Sequence, residues 1–526
     1  MRARFAPAGR LRSGFPVIGL LLLGALALLG GVGGCGKAAV KPRALVLGLD
    51  GATWKILRPM MDKGELPNLK ALADGGISGN LRSVIPFLSP PAWTSAITGT
   101  NPGKHGIYDF LTRLPNQMMF VNVSARNRRV PPIWTLLSEA GIKVGVVNVP
   151  ATDPPDPVEG GFMISGLPHL GVSDYTYPKE LEKELVDYRL EKLQISLVAG
   201  KEDSVLNDIL LTMRARAANV QTLLKTKDWQ FAWIVFTETD RVQHFFWQFM
   251  DPEWPGYDAA KAARYGSAIH DLWVELDGYL GQIIAVAREK QGADLPIVVI
   301  SDHGFGGVHR EFRLQSFLRT PPDGKPAITE AYSPETNGAI LYFLKKGREP
   351  VGTLDADEFN AQRADVVERV KAARDPETGT PAVRGAFRRE DLYRGRTSEK
   401  SPDVVMVPAP GVYVSNDRGD RPAWGPPSFS FSGHHEMEGV LIATGGPFRS
   451  GHLDDGPTLL DITPTLLYLL GRPVPAYCDG RPLTVLFQPD FVKAHPVQVE
   501  KRELDTGAPE DTAAVPDAMK GLGYIN

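Results

Sequence analysis

"LPIVVISDHG", residues 295–304, is an apolar run that stops abruptly on an aspartate and a histidine. Valine and isoleucine with no polar alternation describe a strand buried on both faces, as in parallel sheets covered by helices. The same design recurs outward along the chain, in "RALVLGLD" (43–50), "KVGVVNVP" (143–150), "FAWIVFTETD" (231–240) and "GVLIATGG" (439–446). Helical patterns separate these runs, at 204–227, 262–290 and 458–470. Strand and helix in alternation predict an α/β fold, a mostly parallel central sheet with helices on both faces and right-handed crossovers. The stretch 151–230 delays the next core strand and reads as an insertion able to form a cap. A second insertion, 345–430, is rich in charge, Pro and Gly and carries the strand-like "DVVMVP". The main domain is expected over 43–485, followed by a polar tail, 486–526, whose final "MKGLGYIN" docks on the surface.

Three of these strands close on aspartate: Asp50, Asp240 and Asp302. A buried carboxylate is costly unless paired, hydrogen-bonded or metal-bound, and an aspartate after a strand can also cap the next helix. In open parallel sheets, however, ligands bind just outside the carboxyl ends of the strands, where all three aspartates could converge. Histidines accompany them. His244 follows Asp240 by one helical turn, His303 is adjacent to Asp302, and His435 lies in "SFSGHHEMEGVLI", just ahead of a buried strand. Carboxylate oxygen with imidazole nitrogen suits zinc or a similar ion, and manganese or iron accept the same donors.

The N-terminus reads as a processed leader. Arg2, Arg4, Arg10 and Arg12 precede an apolar run from Phe15 to about Gly31, as in a signal peptide. A retained anchor helix is the alternative. The small residues of "LGGVGGCGK" resemble a bacterial lipobox, which implies a leader over 1–34, lipidation of Cys35 and a membrane tether; Gly36 leans towards the outer membrane. Cys478 is the only other cysteine, so the fold stands on its core rather than on disulfides. The formal charge of −3 falls further when the leader arginines are removed, and no basic stripe marks a nucleic-acid binder. An anionic substrate therefore has to be held locally, as by metal ions.

Taken in order, "RALVLGLD", "LPNLKALADGG", the loop around Ser89 with "TGTNPGKHG", "ETDRVQH", "SDHGFG" and "GHHEMEGVLIATGGP" followed by "DITPTLLYLLG" resemble the type I phosphodiesterase and nucleotide pyrophosphatase branch of the alkaline phosphatase superfamily, over most of residues 43–480. The resemblance implies an alkaline-phosphatase-like fold and a two-metal hydrolase of phosphoric esters. It places the nucleophile at Ser89, nine residues before Thr98, with Thr94 and Ser95 as competing hydroxyls. One metal is expected from Asp240, His244 and His435, the other from Asp50, Asp302, His303 and the Ser89 oxygen. His434 is the alternative to His435, which the G-x-H-x-x-x-G spacing favours. A cation beside a hydroxyl stabilises the alkoxide, so Ser89 needs no histidine base, and two cations about 3.5–4 Å apart hold attacking and leaving oxygens in line. A covalent phosphoseryl intermediate is the expectation.

The chain departs from the family at one substrate-binding position. Where the nucleotide pyrophosphatases carry a phosphoryl-binding asparagine, this sequence has Phe110; Lys104, Tyr108, Asn101 or a residue of 151–230 are candidates to replace it. His309 reads as a surface residue or a neighbour of the site. A sulfatase would need C/S-x-P-x-R, and "SPPAW" lacks the arginine. Other readings are a phosphomonoesterase, a phosphotransferase with an envelope sugar or lipid acceptor, and a non-catalytic envelope protein stapled by metals. The substrate is expected to be a small phosphate ester or an envelope lipid or glycan.

Overall fold

The computed structural model describes residues 42–504, apart from 115–116, 170, 172, 192–196, 321–323, 335–337, 418–420, 428–430 and 455. A nine-stranded sheet organises the chain, in the spatial order Gly451–Leu453, Ile77–Arg82, Glu438–Thr444, Ile297–Ile300, Ala44–Leu49, Phe231–Phe236, Val144–Val149, Phe162–Ser165, Thr176–Tyr177. Its centre is parallel: Ala44–Leu49 lies between Phe231–Phe236 and Ile297–Ile300, with Gly48 opposite both Val235 and Ile300. Glu438–Thr444 also enters this sheet but runs antiparallel to Ile297–Ile300 and to Ile77–Arg82. Its reversal has a consequence for the site. The residues that precede it, not those that follow, meet the carboxyl ends of the parallel strands.

Side chains alternate across the first strand. Leu45, Leu47 and Leu49 enter one core with the helices Glu202–Thr226 and Ala268–Gln291; Ala44 and Val46 enter the other with Trp93, Ile97, Trp134 and Leu466. Both faces are thus covered by helices, which is why the strands read as unbroken apolar runs.

The segment 151–230 is not a separate cap. Phe162–Ser165 and Thr176–Tyr177 extend the main sheet at one edge. The helix Glu202–Thr226 carries Ile209, Met213, Ala217, Val220 and Leu224 on one stripe, at spacings of three and four, and that stripe is buried in the main core. The second insertion does form a unit of its own. It starts earlier than 345, with the antiparallel strands Ala331–Tyr332, Ile340–Phe343, Val404–Pro408 and Val383–Arg388. With the helix Ala356–Ala372 they bury Leu341, Phe343, Val366, Val370 and Met406 in a small separate core. The helical pattern 262–290 divides into Ala259–Tyr265 and Ala268–Gln291, and 458–470 is a 3₁₀ turn followed by Ile462–Leu469. Part of the tail is ordered, since Val499–Glu500 pairs with Val474–Pro475. The expected leader, Cys35 and "MKGLGYIN" lie outside the described residues. Among the described residues no helix is long and apolar enough to cross a membrane.

Candidate active site

The parallel register brings the three aspartates to one edge. Asp50 follows Leu49, whose partner Phe236 leads into the helix Glu238–Met250, and Asp302 lies two residues beyond Ile300. Asp240 and His244 occupy the first turns of that helix. His435 arrives on Gly433–Glu436, which pairs antiparallel with Gly304–Gly307 so that His435 faces Phe305. Two sets of donor atoms each lie within 4.8 Å of one another: Asp240, His303 and His435, and Asp50, Asp302 and His303. His244 completes the cluster, its Nε2 2.9 Å from Nε2 of His435 and 3.4 Å from Asp240 Oδ2.

The imidazole hydrogen bonds decide what this cluster can hold. Nδ1 of His244 meets the Gly433 carbonyl at 2.8 Å, Nδ1 of His435 the Phe87 carbonyl at 3.0 Å, and Nδ1 of His303 the Gly304 carbonyl at 3.0 Å. A carbonyl only accepts, so each ring donates from Nδ1 and, when neutral, carries a bare lone pair on Nε2. Two lone pairs then face each other across 2.9 Å. Asp240 Oδ1, Asp302 Oδ2 and His303 Nε2 are buried with no hydrogen-bond partner among the described residues. Backbone-anchored imidazoles and orphaned carboxylate oxygens pointing at one another are the donor set of a divalent cation, and they fit one here.

Electrostatics agrees. Burial first, then repulsion from Asp302 and Asp240, pushes the Asp50 carboxyl well above the usual range; burial and Asp240 do the same to Asp302. Burial lowers the imidazoles of His303 and His435. Burial works against the Asp240 charge too, yet His244 and His435 beside it hold that carboxyl well below the usual range, so the uncompensated carboxyls are Asp50 and Asp302.

Ser89 sits at this cluster, its Oγ donating to Asp50 Oδ1 at 3.3 Å. It opens the helix Ser89–Thr98, where Pro90 and Pro91 supply the fixed φ of a first turn and omit N–H groups that would have no helical partner. Trp93, one turn on, donates Nε1 to Asp50 Oδ2 at 2.8 Å. The indole reaches that position because residue 48 is glycine: a Cβ there would lie 2.5 Å from the Trp93 ring. Gly51 turns the chain at φ 66° and donates its N–H to Asp302 Oδ1 at 3.2 Å; a side chain there would run into Phe305 at 2.9 Å.

Neither competing hydroxyl bonds to the cluster among the described residues: Thr94 Oγ1 is buried without a partner there, and Ser95 Oγ meets His105. Thr94 and Ser95 are buried in the same helix. The Ile107 N–H donates to Nδ1 of His105, so Nε2 of that ring donates to Ser95 Oγ, 2.9 Å away, and Ser95 gains no base. His434 accepts from its neighbour's backbone N–H and packs on Tyr413. Lys104 is bonded to Asp479 at 2.6 Å and to the Tyr477 carbonyl; Asn101 caps the turn Pro102–His105 and bonds Asp479; the Tyr108 hydroxyl is bonded to Thr397. Each of these three candidates to replace the family asparagine thus has its polar group engaged away from the cluster. Phe110 is half-buried and has no hydrogen-bonding side chain. His309 pairs with Asp251 at 2.9 Å, on the strand connection next to the site.

Several positioning groups carry no signal in the sequence. Trp93 is one. Thr239 donates to the Asp50 carbonyl at 2.6 Å, and Gln243 to the Gly51 carbonyl at 2.9 Å, locking the helix to the turn after the first strand. The three carbonyls that fix the imidazoles belong to the main chain, so no side-chain pattern announces them.

The type I phosphodiesterase / nucleotide pyrophosphatase profile matches residues 44–439. The chain belongs to this family. It is therefore a hydrolase of phosphoric ester bonds in a metal-dependent family, and the Asp/His cluster is a candidate metal site. No curated protein matches in sequence. Among solved structures, murine ectonucleotide pyrophosphatase / phosphodiesterase 5 shares 16% identity, with a TM-score of 0.54, over 85% of this chain and 100% of that one. An inactive variant of the same murine protein was solved in complex with AMP, at a TM-score of 0.53. Phosphonoacetate hydrolase from Sinorhizobium meliloti, in complex with phosphonoformate, shares 18% identity over 82% of this chain and 95% of that one, with a TM-score of 0.52. At such identities the likeness establishes the fold, a mixed α/β architecture around a large, mostly parallel sheet.

Proposed function

We propose that this enzyme cleaves a phosphodiester or pyrophosphate-like ester by attack of Ser89 Oγ on phosphorus. The observation that carries the reading is the Ser89 hydroxyl, 3.3 Å from Asp50 inside a cluster of inward-facing Nε2 atoms and unpartnered carboxylate oxygens. Asp240, His244 and His435 would hold one divalent ion, and Asp50, Asp302 and His303, with Ser89 Oγ, a second; zinc suits these donors. Ions bound there would supply Lewis-acid charge, favouring the serine alkoxide and neutralising charge on the phosphoryl oxygens.

The chain's own residues do the rest. Trp93 and Ser89 both bond the Asp50 carboxylate, so the position of the hydroxyl is set by a rigid strand end and a helix start. As Oγ bonds to phosphorus, the ester P–O bond to the alcohol breaks and the alcohol leaves with a proton. Water then cleaves the Ser89 O–P bond and restores the hydroxyl. Two in-line displacements retain configuration at phosphorus. We also propose export and tethering through a lipid on Cys35; a Cys35→Ser variant that still incorporated labelled fatty acid would rule this out.

The test compares hydrolysis of a bis(aryl) phosphate and an aryl monophosphate, with and without added zinc, by the native chain and by Ser89→Ala. Metal-dependent release of the diester's aryl group, lost in the variant, is expected. Equal release by Ser89→Ala would overturn the nucleophile, and a preference for the monoester would reassign the enzyme as a phosphatase.

A further inference from the structure

A cleft opens beside the imidazole pair. His434 and His435 line it together with Gly307 of the main domain and Val407, Pro410 and Arg384 of the small inserted unit. Arg384 is exposed on the strand Val383–Arg388, at a break in the ladder: Val383 pairs with Pro408 and Gly385 with Val407, which leaves Arg384 as the extra residue of a bulge. A bulge removes a residue from the regular alternation and re-aims its side chain, and such bulges gather at functional sites.

Its charge is also unspent. Other arginines of this unit hold carboxylates: Arg363 bonds Glu390, Arg389 bonds Glu399, and Arg388 lies 3.6 Å from Asp391. Arg384 has neither an ion pair nor a hydrogen bond with a described residue. Glu436, the one carboxylate among the residues that line the cleft, is bonded through both oxygens to Lys55 at 2.6 Å. The cleft's other lining is largely apolar, including Val308, Val407, Pro408, Ala409 and Val412. A guanidinium beside an apolar wall attracts an anion more strongly than one in open water, and its planar fork matches carboxylate and phosphate oxygens.

We propose that Arg384 binds a second anionic group of the substrate, so that the preferred ester carries a carboxylate or phosphate on the part that extends along this cleft from the reacting phosphorus. This rests on the reading of the Asp/His cluster as the site of ester hydrolysis. It makes Arg384 a specificity residue and the small inserted unit the element that selects among esters.

Three aryl phosphodiesters with the same leaving group test it, their second substituent being ethyl, 2-carboxyethyl or 2-phosphoethyl. The native chain is expected to show about tenfold lower KM for the two anionic esters than for the ethyl ester, a preference that shrinks at high salt. Arg384→Met should abolish the preference and leave kcat/KM for the ethyl ester unchanged; Arg384→Lys should restore part of it. A preference for one anion alone identifies which group the guanidinium takes. No preference in the native chain, or one that survives in Arg384→Met, overturns the assignment of Arg384. Failure of the hydrolytic reading is distinguishable, because all three esters would then remain intact.

Discussion

Two clusters of buried charge share one helix, and they are finished differently. Glu238, in the first turn of Glu238–Met250, bonds the Arg216 guanidinium, while Glu191 lies 3.6 Å from Arg216 and 3.4 Å from Arg241. Burial works against the Arg216 charge, yet Glu238 and Glu191 beside it keep the guanidinium protonated. Two residues later burial works against Asp240 as well, and His244 and His435 keep it ionised, but Asp50 and Asp302 beside it are pushed well above the usual range by burial and mutual repulsion. One cluster is neutralised by the protein itself. The other leaves the carboxyls of Asp50 and Asp302 uncompensated. Asp50 and Asp302 are as deeply buried as Glu238 and Arg216; the difference lies in whether a covalently attached cation is supplied.

The largest effect that would sharpen this contrast comes from Ser89→Ala. Turnover should fall by about 10⁴-fold or more, as when a nucleophile is deleted elsewhere, while divalent ions still raise the melting temperature. Asp302→Asn should separate the two properties. Removing one of three repelling carboxylates leaves the chelated protein as stable as the native or more so, and it loses most activity and most of the melting-temperature rise on adding zinc. If the chelated variant is instead clearly less stable, the cluster is not in charge excess and the comparison breaks.

Arg216→Met should do the reverse. It strands Glu238 and Glu191 in a buried site, at a cost of about 3–5 kcal/mol in urea unfolding. Adding Glu238→Gln to that variant is expected to recover part of the loss, because one stranded charge is removed. Trp93→Phe keeps the ring in the core but deletes the donor to Asp50. Support of that kind is worth roughly 10- to 100-fold in metal affinity or activity, readable as a rise in the zinc concentration needed for half-maximal rate.

The last case is a buried group with no ion pair to any described residue. Burial pushes the His105 imidazole down to about 3, so it folds neutral, between Ser95 and the Ile107 N–H. The unfolded chain, with an ordinary imidazole, binds a proton that the folded chain refuses between about pH 6.5 and pH 3. Stability therefore contains the full contribution above about pH 6.5 and loses up to about 1.4 kcal/mol per pH unit as the pH falls through that window. His105→Gln should flatten that part of the pH profile, and an unchanged slope would show that the ring is charged in the native state.

Much of this was legible in the chain because it depends on local pattern. Unalternating Val/Ile/Leu runs before Asp50 and Asp302 marked strands covered on both faces, and the edge where the Asp/His cluster lies; Asp240, expected to close its strand, instead sits in the helix that begins two residues after Phe236. His244 was readable from its one-turn spacing to Asp240, and Ser89 from its place in the family's motif order. The cap expected over 151–230 was misread because polarity and helicity do not reveal what a helix packs against; only the stripe from Ile209 to Leu224, set against the core, does so.

By itself, then, the sequence determined an α/β sheet, its carboxyl edge and the residue types gathered there, since backbone geometry turns apolar periodicity directly into faces and edges. Tertiary structure alone decided the rest. Antiparallel insertion of Glu438–Thr444 delivers His435 to that edge, main-chain carbonyls turn every Nε2 inward, and a bulge directs Arg384 into the cleft. Each depends on contacts between segments far apart in the chain, and on backbone atoms that are identical at every position, so no local pattern of side chains could encode them.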